Sequence, residues 1–159
     1  MIRVAVAGAA GRMGKTLIEA IGASDNLLVV AGFEHADHPR LGEDLGLICG
    51  LGPLGVTLGS DPVAQTTAFD VVIDFTTPSA TLTLAEGCAR HGNAMVVGTT
   101  GFDEEQLLTL QEYAQKTAIF VSPNMSVGVN LSMKLIELAA KALGDEVDVE
   151  LIEAHHKHK

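Results

Sequence analysis

The chain is poor in basic residues and in long apolar runs, and each shortage excludes a class of partner. Ten lysines and arginines stand against twenty aspartates and glutamates, which gives a formal charge of -10 at pH 7. Binding of nucleic acid requires a basic face, and these cations are scattered outside the carboxy-terminal segment, so nucleic acid is not an expected ligand. Apolar runs such as residues 27–31 and 71–73 are far shorter than the about 20 residues that cross a bilayer, and no membrane partner is expected.

Cysteine and targeting signals are also scarce. Cys49 and Cys88 are the two cysteines, and they do not form a Cys-x-x-Cys pair. We expect both to be reduced, partly buried thiols. The amino terminus leads straight into an apolar segment without a charged region or a cleavage site, so we expect no signal peptide and a cytoplasmic protein. A hydrophobic content of 47% suits a globular domain with a core.

Short apolar segments alternate with helical patterns over the first 126 residues. This alternation predicts an α/β fold in which a parallel sheet is connected by crossover helices. The expected strands are residues 2–7, 27–34, 71–75, 94–97 and 118–121. The expected helices are residues 13–21, 78–91 and 103–116. Between residues 35 and 62, glycines and prolines interrupt every period, which predicts a long mobile loop with at most a short strand at 56–58.

A second unit begins after residue 126. A helix is expected at residues 129–143, followed by an alternating strand at 147–152. Residues 127–159 are fewer than the about 40 that usually form an independent core. They are therefore expected to depend on the first domain, on a partner chain, or on further residues.

A glycine-rich segment, GAAGRMG at residues 8–14, lies between the first predicted strand and the first predicted helix. Gly8 would permit a tight turn, Gly11 the close approach of a pyrophosphate, and Gly14 close packing of the helix on the strand. The helix amino terminus would offer N–H groups to phosphates. Glu34 ends the second predicted strand, where a carboxylate can bind the ribose hydroxyls of a dinucleotide. These features favour a Rossmann-type, doubly wound domain, although a tight turn in a protein that binds another ligand is the alternative.

His35 follows Glu34 and bears on the choice of cofactor. A carboxylate favours the hydroxyls of NAD and repels the 2′-phosphate of NADP, whereas a neighbouring cation relieves that repulsion. Histidine is only partly protonated at neutral pH. We therefore expect the use of NADH, or of both NADH and NADPH, rather than of NADPH alone. A solvated loop residue is an equally good interpretation of His35.

Two further segments follow apolar strands at the edge where open α/β sheets bind ligands. The first is DFTTP at residues 74–78, and the second is GTTGF at residues 98–102. Gly98 would let a nicotinamide ring approach the backbone, and Thr100 could donate a hydrogen bond to the cofactor or to a substrate carboxylate. Ordinary turn and helix-capping chemistry is the alternative for both segments.

The chain ends in EAHHKHK at residues 153–159, a basic cluster in an acidic protein. His155, His156 and His158 could bind a metal, but alternate side chains of an extended segment point to opposite faces. An expression tag is a second interpretation. The favoured interpretation is an acid/base site, in which histidines and Lys159 bind an anionic substrate and deliver protons, and no metal is expected.

Four segments, residues 8–14, 98–102, 124–130 and 153–159, together resemble dihydrodipicolinate reductase of bacterial lysine biosynthesis. The resemblance implies that NADH or NADPH reduces a cyclic, unsaturated dicarboxylate on the way to diaminopimelate and lysine. It implies that His155 and Lys159 are the catalytic proton donors, and that His156 and Thr100 bind the substrate. The cofactor contacts that it implies are Gly8, Ala9, Ala10, Gly11, Arg12, Met13, Glu34, His35, Phe75, Gly98, Thr99, Thr100, Ser122, Pro123, Asn124 and Met125.

The resemblance also implies that the sequence covers only part of such an enzyme. The family continues beyond the lysine into a loop whose backbone holds the second carboxylate, and then into a sheet that builds a homotetramer. We therefore expect a dinucleotide-binding domain over residues 1–126 and the start of a substrate-binding and tetramerisation domain over 127–159. A fragment of this kind is expected to have little activity, and a non-catalytic dinucleotide-binding module is the alternative.

Overall fold

A computed structural model describes residues 1–62, 68–150, 152 and 154. The chain divides into two compact units, Met1–Pro123 and Asn124–Lys159. Within the described ranges, no helix is long and apolar enough to cross a membrane.

The first unit is built on a six-stranded sheet in the order β3-β2-β1-β4-β5-β6. Every pairing between neighbouring strands is parallel. The strands are β1 (Ile2–Ala7), β2 (Leu27–Phe33), β3 (Leu58–Gly59), β4 (Val71–Asp74), β5 (Ala94–Val97) and β6 (Ile119–Val121). The five strands predicted from the apolar segments are confirmed, with ends that differ by at most one residue.

Helices cover both faces of the sheet, as a doubly wound fold requires. They are α1 (Arg12–Gly22), α2 (Leu45–Cys49), α3 (Pro78–His91) and α4 (Glu104–Ala114). Successive side chains of a strand point to opposite faces, so Val4 and Val6 of β1 pack with residues of α1 and α2. Ala5 and Ala7 pack into the second core, which includes residues of α3 and α4.

The strand order reverses between β1 and β4, which are neighbours in the sheet although far apart in sequence. Chain leaving β1 runs to one face through α1, and chain leaving β4 runs to the other face through α3. The chain segments that leave the carboxyl ends of β1 and β4 therefore diverge and leave a crevice between them. Open α/β sheets bind ligands in such a crevice. The Rossmann-type prediction is confirmed.

The prediction of a long loop over residues 35–62 was wrong in leaving out a helix, because the segment contains α2. The short strand expected at 56–58 is represented by β3, which overlaps it at Leu58. Asp44 organises the segment by accepting backbone hydrogen bonds at two places. Its carboxylate caps α2 by accepting from the amides of Gly46 (2.8 Å) and Leu47 (3.2 Å). The same carboxylate accepts from Leu54 (3.0 Å) and Gly55 (2.7 Å), which closes the segment onto itself. Hydrogen bonds to a single side chain thus order this segment. Such bonds leave no periodic apolar pattern in the sequence, so the helix could not be predicted from periodicity.

The second unit begins with α5 (Val127–Leu143), whose start is capped by Ser126. The Asn130 amide supports this cap by donating to the carbonyl oxygens of Asn124 (2.8 Å) and Ser126 (2.9 Å). A 3₁₀ turn, Gly144–Glu146, follows the helix. The predicted strand at 147–152 was wrong for its described residues, which form no ladder. Alternating Val147 and Val149 fit a strand pattern, but a strand also needs a neighbour for its backbone groups.

Candidate functional site

The turn after β1, residues 8–11, is tied to the end of β2 by backbone hydrogen bonds. The amides of Gly8 and Ala9 donate to the carbonyl oxygen of Phe33 at 2.9 and 3.1 Å, which ties the turn to the end of β2. Gly8 has a φ of 68°, a conformation that side chains disfavour, so the predicted need for glycine there is confirmed. Gly11 is the N-cap of α1, and no side chain caps this helix. Among the residues that the structure describes, no side chain therefore accepts from the first amides of α1.

Gly14 packs against this turn as the spacing predicted. A Cβ atom added at position 14 would lie 2.1 Å from the Gly8 oxygen and 2.6 Å from the Cα atom of Ala9. Both neighbours are backbone atoms, so the clash could not be relieved by rotating a side chain. The glycine allows α1 to start directly beside the strand.

Glu34, directly after β2, points its carboxylate at the glycine turn. The amide of Ala10 donates to Glu34 Oε1 at 3.1 Å. Within the described residues, Oε2 accepts no hydrogen bond from the protein. The side chain is half-buried, so one oxygen is fixed by the turn while the other is available to a ligand.

A cavity of about 510 Å³ opens beside these residues, at the carboxyl ends of β1, β2 and β4. Its lining comes from the glycine turn, from the segments after β2, β3 and β4, and from the first turns of α3. The lining residues are Ala7, Gly8, Gly11, Phe33, Glu34, His35, Ser60, Pro62, Phe75, Thr76, Thr77, Ala80, Thr83 and Leu84.

Five of the residues predicted from the sequence meet in this cavity. They are Gly8, Gly11, Glu34, His35 and Phe75. Sequence reasoning missed the wall formed by α3. The signal was present, because Ala80, Thr83 and Leu84 are spaced i, i+3 and i+4 and so share one face of a helix that follows β4.

His35 is exposed at the rim, and its ring lies edge-on to that of His38, with 5.3 Å between centroids. Arg40, a nearby cation in sequence, donates to Glu43 at 2.7 and 3.0 Å. This pairing raises the pKa of Arg40 and lowers that of Glu43, through the hydrogen bond between them above all.

Phe75 and Gly98 bring together the segments that follow β4 and β5. A Cβ atom at position 98 would overlap the Phe75 ring, so this glycine is required by a protein side chain. The suggestion that Gly98 also admits a nicotinamide ring stays a prediction.

Asp74 lies beneath these segments as a fully buried carboxylate. Three threonine hydroxyls donate to it: Thr76 to Oδ1 at 2.6 Å, Thr99 to Oδ2 at 3.3 Å, and Thr81 to Oδ2. Cys88 is buried nearby, and burial together with the negative charge of Asp74 raises the pKa of its thiol to about 12. The thiol is thus held in its neutral form next to the site.

The other predicted residues are spread more widely. Arg12 and Met13 are exposed in the first turn of α1, and Thr100 is exposed directly after the buried Thr99. Ser122 follows β6, and its amide donates to the Val97 oxygen at 3.0 Å. Pro123 is exposed beside it.

Asn124 and Met125 belong to the second unit, where both are exposed. His155, His156, His158 and Lys159 lie outside the described residues, so their predicted roles stay predictions. Over the described part of the chain, no group of three or more His, Cys, Asp or Glu side chains could hold a metal ion.

Comparison with known proteins agrees with this geometry. A family model described as "Dihydrodipicolinate reductase, N-terminus" matches residues 2–125. The 4-hydroxy-tetrahydrodipicolinate reductase of Alkalilimnicola ehrlichii is 49% identical over 157 residues, which cover 99% of this chain and 59% of that protein.

Solved structures give the same result. Dipicolinate-bound dihydrodipicolinate reductase from Paenisporosarcina sp. TG-14 superposes with a TM-score of 0.71 at 31% identity, over 88% of this chain and 54% of that one. Apo scyllo-inositol dehydrogenase from Lactobacillus casei shares the fold, with a TM-score of 0.66 at 18% identity over 91% of this chain and 43% of its own. The chain thus spans a little more than half the length of its reductase relatives. Since the family match covers most of its residues, the chain belongs to the dihydrodipicolinate reductase family.

Proposed function

We propose that the chain binds NADH or NADPH and is the cofactor-binding part of a reductase. The reductase would pass hydride to a cyclic, unsaturated dicarboxylate of the dihydrodipicolinate type and form tetrahydrodipicolinate in the diaminopimelate and lysine pathway. The names of the Alkalilimnicola and Paenisporosarcina proteins support this substrate class. The observation that carries the cofactor proposal is the Glu34 carboxylate, fixed by the Ala10 amide at the mouth of an apolar cavity.

The residues present fit a dinucleotide. The amino terminus of α1 would bind the pyrophosphate, because its first amides lack a side-chain cap and the helix dipole favours an anion there. Glu34 Oε2 would accept from the ribose hydroxyls. The cavity, at about 510 Å³, is within the usual range for small-molecule sites, and Ala80 and Leu84 give it an apolar wall for adenine. When bound, the cofactor supplies the hydride.

The surroundings of Glu34 favour NADH, or both cofactors, over NADPH alone. A second negative charge beside this carboxylate would be repelled. His35 and His38 are the imidazoles at this rim, and Arg40 is already engaged by Glu43.

The substrate side of the proposal depends on the carboxy-terminal motif. His155 and Lys159 would deliver the proton that follows hydride transfer, while His156 and Thr100 would bind a substrate carboxylate. Cations suit a dianionic substrate in a protein that is otherwise acidic. For a longer protein of this family we propose a cytoplasmic homotetramer.

Titration of the 159-residue chain with NADH tests cofactor binding, and the fluorescence of NADH is the signal. We expect micromolar affinity, and an affinity at least tenfold weaker in Glu34→Gln, because a hydrogen bond to a charged acceptor is lost. Glu19→Gln, on the exposed side of α1, is the matched control and should bind as the wild type does. Equal affinity in all three proteins would refute the role of Glu34, and no binding by any of them would refute the cofactor proposal.

Catalysis is tested separately in a protein extended beyond residue 159. Lys159→Met should lose turnover of the dicarboxylate and keep its affinity for NADH. Its counterpart Lys116→Met changes an exposed lysine after α4 and should keep both. A non-catalytic binding module would instead show no substrate-dependent oxidation of NADH in the parent protein.

A further inference from the structure

The Asp74 carboxylate has no role in the proposed cofactor contacts, because it is fully buried and does not line the cavity. Burial of a carboxylate is costly unless hydrogen bonds compensate for the lost water. Asp74 accepts hydrogen bonds from hydroxyl groups in three separate parts of the chain: the segment after β4, the segment after β5, and α3. Such an arrangement ties α3 to the segments that follow two neighbouring strands, β4 and β5.

Thr99 links this carboxylate to Thr76, which lines the cavity. Its hydroxyl donates to Asp74 Oδ2 at 3.3 Å and accepts from the Thr76 amide at 2.9 Å. A threonine hydroxyl carries a single hydrogen. With that hydrogen directed at Asp74, a lone pair is left for the Thr76 amide. Because the Thr76 amide can only donate, the Thr99 hydroxyl accepts from it and uses its single hydrogen to donate to Asp74 Oδ2.

Thr76 in turn packs closely against the glycine turn. A Cβ atom at position 8 would lie 3.2 Å from Thr76 Cγ2, which shows how closely the two segments approach. The backbone adds a further link, because the Gly98 amide donates to the backbone carbonyl oxygen of Asp74 at 2.8 Å. Movement of Thr76 would thus shift the cavity wall where it meets the turn.

We propose that Asp74 is a positioning residue, which acts through Thr99 to fix Thr76 and the segments after β4 and β5 in the arrangement that receives the dinucleotide. This role rests on the proposed cofactor binding. Asp74→Asn places two N–H groups where one carboxylate oxygen had accepted, so at least one threonine hydroxyl loses its acceptor. That variant removes a buried charge and disturbs more than one group at once, so single threonine variants give the sharper test.

Thr99→Val and Thr81→Val form a matched pair. Each removes one hydroxyl that donates to Asp74, but Thr81 lies on α3 and makes no link to the Thr76 amide. Thr99→Ser keeps the hydroxyl and serves as the rescue. Thr99 is 4% exposed, so loss of a direct contact between its hydroxyl and a ligand cannot explain an effect.

The measurements are hydrogen exchange of the Thr76 amide by NMR, the dissociation constant of NADH, and the midpoint of thermal unfolding. We expect Thr99→Val to speed exchange at Thr76 and to weaken NADH binding about tenfold. Thr99→Ser should restore both, and Thr81→Val should lower only the thermal midpoint. If Thr99→Val and Thr81→Val lower the midpoint alike and leave exchange and affinity unchanged, Asp74 is structural and the proposal fails. If the wild type does not bind NADH, the cofactor proposal fails, and exchange at Thr76 still decides whether Asp74 positions the segment.

Discussion

The ring of Phe75 fills the space in which a side chain at position 98 would lie. A Cβ atom added to Gly98 would come within 2.1 Å of Phe75 Cε1 and 2.3 Å of Cζ. Phe75 lines the cavity, so the missing side chain at Gly98 determines where one wall of the cavity stands.

Gly98→Ala should therefore displace the Phe75 ring. We expect a loss of about 1–3 kcal/mol in the free energy of unfolding, as for other overpacked sites, and weaker binding of NADH. Urea denaturation and NADH titration measure the two effects. In a Phe75→Ala background the ring is gone, so the same substitution at 98 should cost much less. An equal cost in both backgrounds would show that the ring is not the obstacle.

Gly14→Ala should be more damaging, because its clash is with backbone. The added Cβ atom would meet the Gly8 oxygen at 2.1 Å, and α1 would have to move away from β1. We expect little folded protein, or a chain that is folded but does not bind NADH. Gly22→Ala, at the other end of α1, meets nothing within 4 Å and should be close to neutral. Circular dichroism and thermal unfolding of both variants would check this contrast.

The lowered pKa of Asp44 predicts that the free energy of unfolding depends on pH. Backbone hydrogen bonds, with that from Leu54 the largest contribution, hold its pKa below the ordinary value. A carboxyl whose pKa is lowered by folding stabilises the protein above its unfolded pKa of about 3.9, and this contribution is lost as the pH falls through the lower, folded value.

The measurement is urea denaturation of the wild type and of Asp44→Asn at a series of pH values. We expect the wild type to be more stable above about pH 5, and the difference to shrink below about pH 4. Asp25→Asn is the control, since this exposed carboxylate accepts no hydrogen bond within the described residues. A difference that stayed constant down to the acid transition would contradict the assignment.

The two cysteines should differ in reactivity. Burial raises the pKa of both thiols, to about 12 for Cys88, and the thiolate is the form that reacts. Cys49 is half-buried, whereas Cys88 is fully buried. Alkylation of the native protein with iodoacetamide, followed by mass spectrometry, should label Cys49 slowly and Cys88 only after unfolding in guanidinium. Labelling of both at one rate in the native protein would rule out this difference.

The sequence was sufficient for the elements whose pattern is local. The helix predicted at 78–91 matches α3 (Pro78–His91), because Pro78 marks its first turn and Gly92 its end. The roles of Gly8 and Gly14 could be predicted as well, since they depend on a turn and a helix within seven residues. The expectation of a partly buried thiol is confirmed for Cys49, whereas Cys88 is fully buried.

Features that depend on distant neighbours were missed. Asp74 could be placed at the end of a strand, but its burial depends on hydroxyls from three elements that a single sequence does not bring together. The overlap of Phe75 with position 98 crosses two neighbouring strands and has no local pattern. Asp44 is an intermediate case, because an aspartate before Leu45 is a recognisable helix cap, while its bonds to residues 54 and 55 are not recognisable.

The position of β1 in the middle of the sheet affects how the chain is made. β1 leaves the ribosome before β4, the partner on one of its two sides, which ends at Asp74. Until that residue has emerged, one side of an apolar strand presents unpaired backbone groups, which are a template for misassociation with other chains. Between the emergence of β2 and that of β4, one edge of β1 is thus open to other chains. Substitutions that delay pairing of β4 would increase aggregation during synthesis even where the finished protein is fully stable.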